Sequence, residues 1–252
     1  MTTSVIKSPW IPLRRLNPNA SVRLFCFPYA GGGAQIYKNW QEGFPPSIEV
    51  CPVQLPGRGE RVSEPRFSQI KPLVEAIAEA LLPFFDRPFA FFGHSMGAAI
   101  SYELAQLLRR EKASTPIHLF VSGHSAPHLM NRQVITYDLP DDEFVKELRI
   151  LKGTPEEVFE HPELMALMIP LLRADFEVSE TYVGSNQPPL DCPITAFGGV
   201  EDQDVPPEKI EGWGAHTNGP FLSHILPGGH FFIHTEQPAI VRAVVRDLSR
   251  RA

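Results

Sequence analysis

The chain has 252 residues, a length that a single α/β domain can still span around one core. Its net charge is −6, which argues against the basic face of a nucleic-acid binder; 43% hydrophobic and 21% charged residues exclude a disordered composition. No apolar run approaches the roughly 20 residues of a membrane span, and Met1–Leu16 lacks the apolar core of a secretory signal, so the expected setting is the reducing cytoplasm; a monomer is the default expectation.

The first strand pattern is Val22–Phe27, stopped by Pro28 and the glycines Gly31, Gly32 and Gly33. Gln35–Trp40 can form one or two helical turns, and Ile48–Gln54 reads as a strand despite Pro52. Ile70, Leu73, Val74, Ile77, Ala78, Leu81 and Leu82 mark a helix face over Gln69–Phe85. Phe89–Phe92 is a continuous apolar run, as for a strand covered on both faces. A helix over Ala98–Arg110, strands at His118–Ser122, Ile194–Phe197 and Phe221–Leu226, and a closing helix over Pro238–Arg250 continue the alternation. Such alternation predicts an α/β fold, a mostly parallel sheet flanked by helices.

From about Asp138 to Val183 the patterns are helical only. Asp141, Asp142 and Thr154 are suitable helix starters, and Leu164, Leu167, Met168, Leu171 and Leu172 suggest an apolar face. A helical stretch between two sheet strands reads as a cap or lid inserted into one domain spanning 1–252. Ordinary core helix is the alternative. Cys26 and Cys51 lie in apolar runs and read as buried thiols; with Cys192 the count is odd, without C-x-x-C spacing, so neither a disulfide framework nor a metal site is expected.

Chemistry enters at Gly93-His94-Ser95-Met96-Gly97, a G-x-S-x-G match. The pattern is weak alone, but it follows an apolar strand and opens a helix, the context of a nucleophile elbow. The serine must sit on a strained turn, so close to its surroundings that the residues two before and two after have no room for side chains. Ser95 is therefore the expected nucleophile, with the helix N-terminus behind it favouring negative charge.

The base should lie late in the chain, after a strand. Of nine histidines, His230 fits, following Leu226-Pro227-Gly228-Gly229. His234 falls beyond that loop, His224 inside the strand, and His216 in a polar segment expected at the surface. The acid should follow Ile194–Phe197, where Glu201, Asp202 and Asp204 are available; Asp202 is preferred, and spacing alone places the acid only in this loop. Oxyanion donors are expected from the backbone N–H groups of Met96 and of Ala30, with Tyr29 the neighbouring alternative. The loop Pro28–Gly33 carries neither phosphate-binding glycine pattern, G-x-x-x-x-G-K-[ST] or G-x-G-x-x-G.

Six segments in order extend the match: FCFPYAGGGA (Phe25–Ala34), LPGRGER (Leu55–Arg61), FFGHSMGA (Phe91–Ala98), LRADFEVSETY (Leu172–Tyr182), FGGVEDQDV (Phe197–Val205) and PGGHFFIH (Pro227–His234). Together they resemble the type II thioesterases, free-standing editing enzymes of non-ribosomal peptide and polyketide assembly lines. The family pattern G-G-x-x-D-x-x-V falls on Gly198, Gly199, Asp202 and Val205, which favours Asp202 over Asp204. The resemblance implies an α/β-hydrolase fold with a mobile helical lid, and acyl or peptidyl carrier proteins as partners. It also implies that no cofactor is used, since the phosphopantetheine arm belongs to the substrate. Met168 and Leu172 are candidate substrate contacts in the lid. Arg58, Arg61, Arg149 and Lys152 are candidate basic residues at the entrance. An oxygen-ester carboxylesterase or lipase, and a non-catalytic carrier-binding protein, are the competing readings.

Overall fold

In a computed structural model, residues 8–12, 17–130, 135–151, 153, 156–184 and 186–249 are described. Six strands form one sheet in the order β2-β1-β3-β4-β5-β6: β1 (Val22–Phe27), β2 (Ile48–Pro52), β3 (Phe89–His94), β4 (Leu119–Ser122), β5 (Ile194–Gly199) and β6 (Phe221–Leu226). Every pairing is parallel, for instance Leu24 beside Val50 on one side and Ala90 on the other. The chain leaves β2 at an edge, which is why Pro52, with no N–H to donate, is accommodated at its end.

Side chains of successive strand residues enter two different cores. Phe25, Phe27, Phe89 and Phe91 pack under α1 (Ile70–Leu81) and α2 (Met96–Arg110). Their neighbours Leu24, Cys26, Ala90 and Phe92 pack on the opposite face, together with Tyr37, Trp40 and residues of the closing helix. Both faces being covered accounts for the uninterrupted apolar run in β3. The helix expected over Gln69–Phe85 is α-helical only to Leu81; Leu82–Phe84 tightens into a 3₁₀ turn containing Pro83, which cannot continue the hydrogen-bond ladder. Cys26 and Cys51 are buried thiols, while Cys192 is half-buried.

Between β4 and β5 lie α3 (Asp141–Leu151), α4 (Glu156–Phe159) and α5 (Pro162–Glu180). Acidic residues fill the first turn of α3, as its sequence suggests; Thr154 falls outside the described residues. Phe144, Leu148, Met165 and Leu172 form a small core of this insertion, separate from the two sheet cores. The apolar face anticipated in α5 is corrected in part. Leu164 and Leu167 are exposed, while Met165, Leu171, Leu172 and Val178 are buried, because only one side of the helix meets the body of the protein. After β5 come α6 (Pro207–Glu211), α7 (Phe232–Thr235) and α8 (Gln237–Ser249).

Candidate active site

The turn between β3 and α2 is tight enough to force a residue with a side chain into left-handed backbone. Ser95 has φ 53° and ψ −121°, and its N–H donates to Ser122 O at 2.7 Å. A Cβ on Gly93 would lie 2.0 Å from Gly97 O, and one on Gly97 would lie 2.2 Å from Phe27 O. The steric reason for both glycines is thus present as expected.

Two further loops converge on this serine. Val200 N–H donates to Leu226 O at 2.8 Å and Glu201 N–H to Gly228 O at 3.0 Å, joining the loops after β5 and β6. A Cβ on Gly199 would lie 2.5 Å from Gly228 O, so the approach requires glycine there too. Gly228 turns the second loop with φ 99°.

These constraints bring Asp202, His230 and Ser95 into one line. His230 Nδ1 lies 2.7 Å from Asp202 Oδ2, and His230 Nε2 lies 3.0 Å from Ser95 Oγ. A carboxylate only accepts, so Nδ1 carries the proton and Nε2 presents its lone pair to the serine O–H. Asp202 is buried, and its Oδ1 accepts from the N–H groups of Asp204 and Val205, both at 3.1 Å. Asp204 and Glu201 are exposed and not in this line; Asp204 instead contributes a backbone donor that orients Asp202.

His94, inside the serine motif, was legible only as a variable position. It is fully buried, with Nδ1 2.9 Å from Ser122 Oγ and Nε2 3.0 Å from His230 O. The carbonyl requires Nε2–H to donate, so the Ser122 hydroxyl donates to Nδ1. Burial, then the neighbouring His230, holds the His94 pKa well below the usual imidazole range. A neutral His94 thereby fixes the backbone that carries His230. His124, also unremarked in the sequence, borders the serine cavity; its Nδ1–H donates to Ser125 O at 2.8 Å, and burial lowers its pKa to about 4. His216, expected at the surface, is half-buried beside Tyr102 and Trp213, with its pKa also lowered to about 4 by burial.

Ser95 opens into a cavity of about 690 Å³ that Ala30, Met96 and the alternative donor Tyr29 also line. Leu148, Leu151, Met168, Leu172 and Phe176 give it an apolar wall, contributed by α3 and α5. Its polar lining includes Gln203, Asp204 and Lys209.

The expected basic entrance is not built by the LPGRGER loop. Arg58 and Arg61 are 7% and 5% exposed, and so are withdrawn from solvent. Arg58 binds Asp175 of α5, while Arg61 binds Glu64 and Gln54 O and lies over the Trp10 ring. Arg149 is partly exposed but paired with Glu156, and Lys152 falls outside the described residues.

A family model described as "Thioesterase domain" matches residues 22–249. A relative from Brevibacillus parabrevis, called linear gramicidin dehydrogenase LgrE, is 46% identical and aligns over 96% of this chain and 93% of its own. The gramicidin S biosynthesis protein GrsT of Aneurinibacillus migulanus is 43% identical, covering 95% of this chain and 93% of that protein. The solved thioesterase RedJ of the prodiginine pathway in Streptomyces coelicolor superposes with a TM-score of 0.85 at 38% identity, covering 96% of this chain and 99% of that one. The word dehydrogenase stands only in the first of these names, whereas the family model spans the sheet, the elbow and all three aligned side chains. The chain belongs to the thioesterase family, whose members are enzymes that hydrolyse thioester bonds, on an α/β-hydrolase scaffold.

Proposed function

We propose that this thioesterase releases acyl groups, stalled or misprimed, from phosphopantetheinyl carrier proteins of a non-ribosomal peptide or polyketide assembly line. The observation that carries the chemistry is the unbroken Asp202–His230–Ser95 hydrogen-bond line opening into an apolar cavity. The relatives named for gramicidin S biosynthesis and for the prodiginine biosynthetic pathway support the carrier-bound substrate.

His230 Nε2 takes the Ser95 proton as Oγ attacks the thioester carbon. The resulting oxyanion meets the N–H groups of Ala30 and Met96, and Asp202 stabilises the imidazolium. Collapse expels the pantetheine thiolate, which receives the proton from His230, and leaves an acyl-enzyme. Water then gives its proton to His230, attacks the ester carbon and releases the acid with Ser95 restored. The cycle needs no cofactor, and phosphopantetheine arrives with the substrate. The helices of the insertion act as a lid whose inner wall, including Met168 and Leu172, holds the acyl chain. No helix among the described residues is long and apolar enough to cross a membrane; a cytoplasmic monomer completes the proposal.

The test compares one acyl group presented on a carrier protein, on coenzyme A and as a nitrophenyl ester. The expected order of kcat/KM is carrier, coenzyme A, oxygen ester, with Ser95→Ala inactive on all three and Ser95 labelled by a fluorophosphonate. Equal efficiency on carrier and coenzyme A would remove the carrier from the proposal. Preference for the oxygen ester would make this an esterase, and turnover by Ser95→Ala would remove the mechanism.

A further inference from the structure

Arg58 and Asp175 are separated by 117 residues, and their side chains are both nearly inaccessible, at 7% and 4%. The guanidinium meets the carboxylate fork to fork: Nη1 donates to Oδ2 at 2.7 Å and Nη2 to Oδ1 at 2.8 Å. Both partners also hold backbone in the glycine loop beside Ser95. Asp175 Oδ2 accepts from Gly31 N–H at 2.7 Å, and Arg58 Nη1 donates to Gly32 O at 2.9 Å. Gly31 has φ 77°, and the Gly32 N–H closes the turn on Tyr29 O at 2.9 Å. Farther along, Gln54 accepts from Ala34 N–H at 2.8 Å and donates to Arg58 O at 2.9 Å. Four of these bonds, those to Gly31 N–H, Gly32 O, Gly32 N–H and Ala34 N–H, act on backbone within four residues of Ala30.

A buried ion pair is weak grounds for a stabilising role, since desolvation offsets much of the attraction. Its distinctive property here is direction. It clamps the peptide groups that follow Ala30, and an oxyanion donor is effective only when it is aimed before the charge develops. We propose that Arg58 and Asp175 are positioning residues for the oxyanion loop, holding Ala30 N–H toward the acyl oxygen and tying α5 to that loop. This rests on the hydrolytic reading above.

The test uses Asp175→Ala and Arg58→Lys; the latter keeps the charge but not the fork. Glu49→Gln serves as a control, because it breaks the buried pair with Arg23 near the starts of β2 and β1, the strand ends opposite the glycine loop. Each protein is assayed on an acyl thioester below its own melting midpoint. Each is also titrated with an alkyl boronic acid, which forms a tetrahedral adduct on the serine, and with the product acid. Wild-type turnover establishes the hydrolytic reading first, so failure at that point is separate from failure of the clamp.

If the clamp aims the donor, kcat falls about tenfold to a hundredfold in both variants, a displaced oxyanion donor costing at most the ~10²–10³ of its removal. Boronate affinity then falls in parallel, with KM and product affinity nearly unchanged. Glu49→Gln lowers the melting temperature and leaves kcat alone. If either folded variant keeps wild-type kcat and boronate affinity, or if the loss appears in KM, the positioning role is wrong. Should Asp175→Ala not fold, Arg58→Lys carries the same decision.

Discussion

Gly97→Ala is the sharpest test of the elbow. The added Cβ would meet Phe27 O at 2.2 Å, Phe27 C at 2.7 Å and Pro28 O at 2.8 Å, all backbone atoms. Opening 2.2 Å to the 3.4 Å where ordinary contact begins requires about 1.2 Å of movement. No side chain can rotate away to supply it, so either the turn carrying Ser95 or the strand end leading to Ala30 must shift. Overpacking of this kind costs about 1–3 kcal/mol. A displacement near 1 Å at reacting groups costs on the order of 10²-fold in rate. The expected variant is folded, melts up to about ten degrees lower, and loses roughly a hundredfold in kcat/KM. Gly229→Ala is the comparison, because its Cβ would find only Glu201 O, at 3.9 Å. It should remain close to wild type in both measurements. Thermal melts and thioester kinetics on the two variants decide the matter. Wild-type kcat/KM for Gly97→Ala would show that the approach of α2 to the Phe27–Pro28 backbone does not set the reactive geometry.

Asp202→Asn should lower kcat by up to ~10⁴-fold, because an amide cannot hold the required His230 tautomer; Asp204→Asn, which keeps its backbone N–H, should cost little, and reversed ranks would overturn the assignment. Burial lowers the pKa values of His94, His124, His216, His224 and His234. Their unfolded forms therefore bind more protons below about pH 6.5, and stability should be full above that pH and decline toward about 4. A melting temperature that is flat or rising as pH falls from 7.5 to 5 would contradict this. Met168→Trp should fold and shift preference toward shorter acyl chains, since Met168 is half-buried in the cavity wall; an unchanged acyl-length profile would remove it from the binding surface. Leu172→Trp should instead destabilise, because Leu172 is buried and its Cδ2 lies 2.5 Å from where a Gly31 Cβ would stand; an unaltered melting curve would refute that.

The strands and the serine turn were readable because local chemistry dictates them: apolar runs for a doubly covered sheet, and glycines where backbone passes backbone. Asp202 was less accessible. Three carboxylates shared its loop, and what separates them is burial and two N–H donors, which spacing alone does not reveal. Arg58 and Arg61 were misplaced at the surface because an arginine in a glycine-rich loop looks solvated. The partner that buries Arg58 is 117 residues away. His94 escaped notice for a similar reason, since both of its contacts come from other strands and loops. In α5 the leucine spacing was real, but solvent on its outer side left Leu164 and Leu167 uncovered.

The parallel sheet has a further consequence for synthesis of the enzyme. Ser95, Asp202 and His230 follow β3, β5 and β6, and the last of these strands begins only at Phe221. A chain interrupted before that point would have no base, and would leave β5, all six residues of which are buried, as an unpaired apolar edge. Open edges of this kind recruit other chains, and long-range parallel pairing closes slowly. Hydrolytic capacity and the cover of the buried strand β5 are therefore acquired in the same late event, the docking of β6, which itself becomes the more exposed final edge. Prematurely terminated chains should accumulate as inert aggregates, never as partly active enzyme.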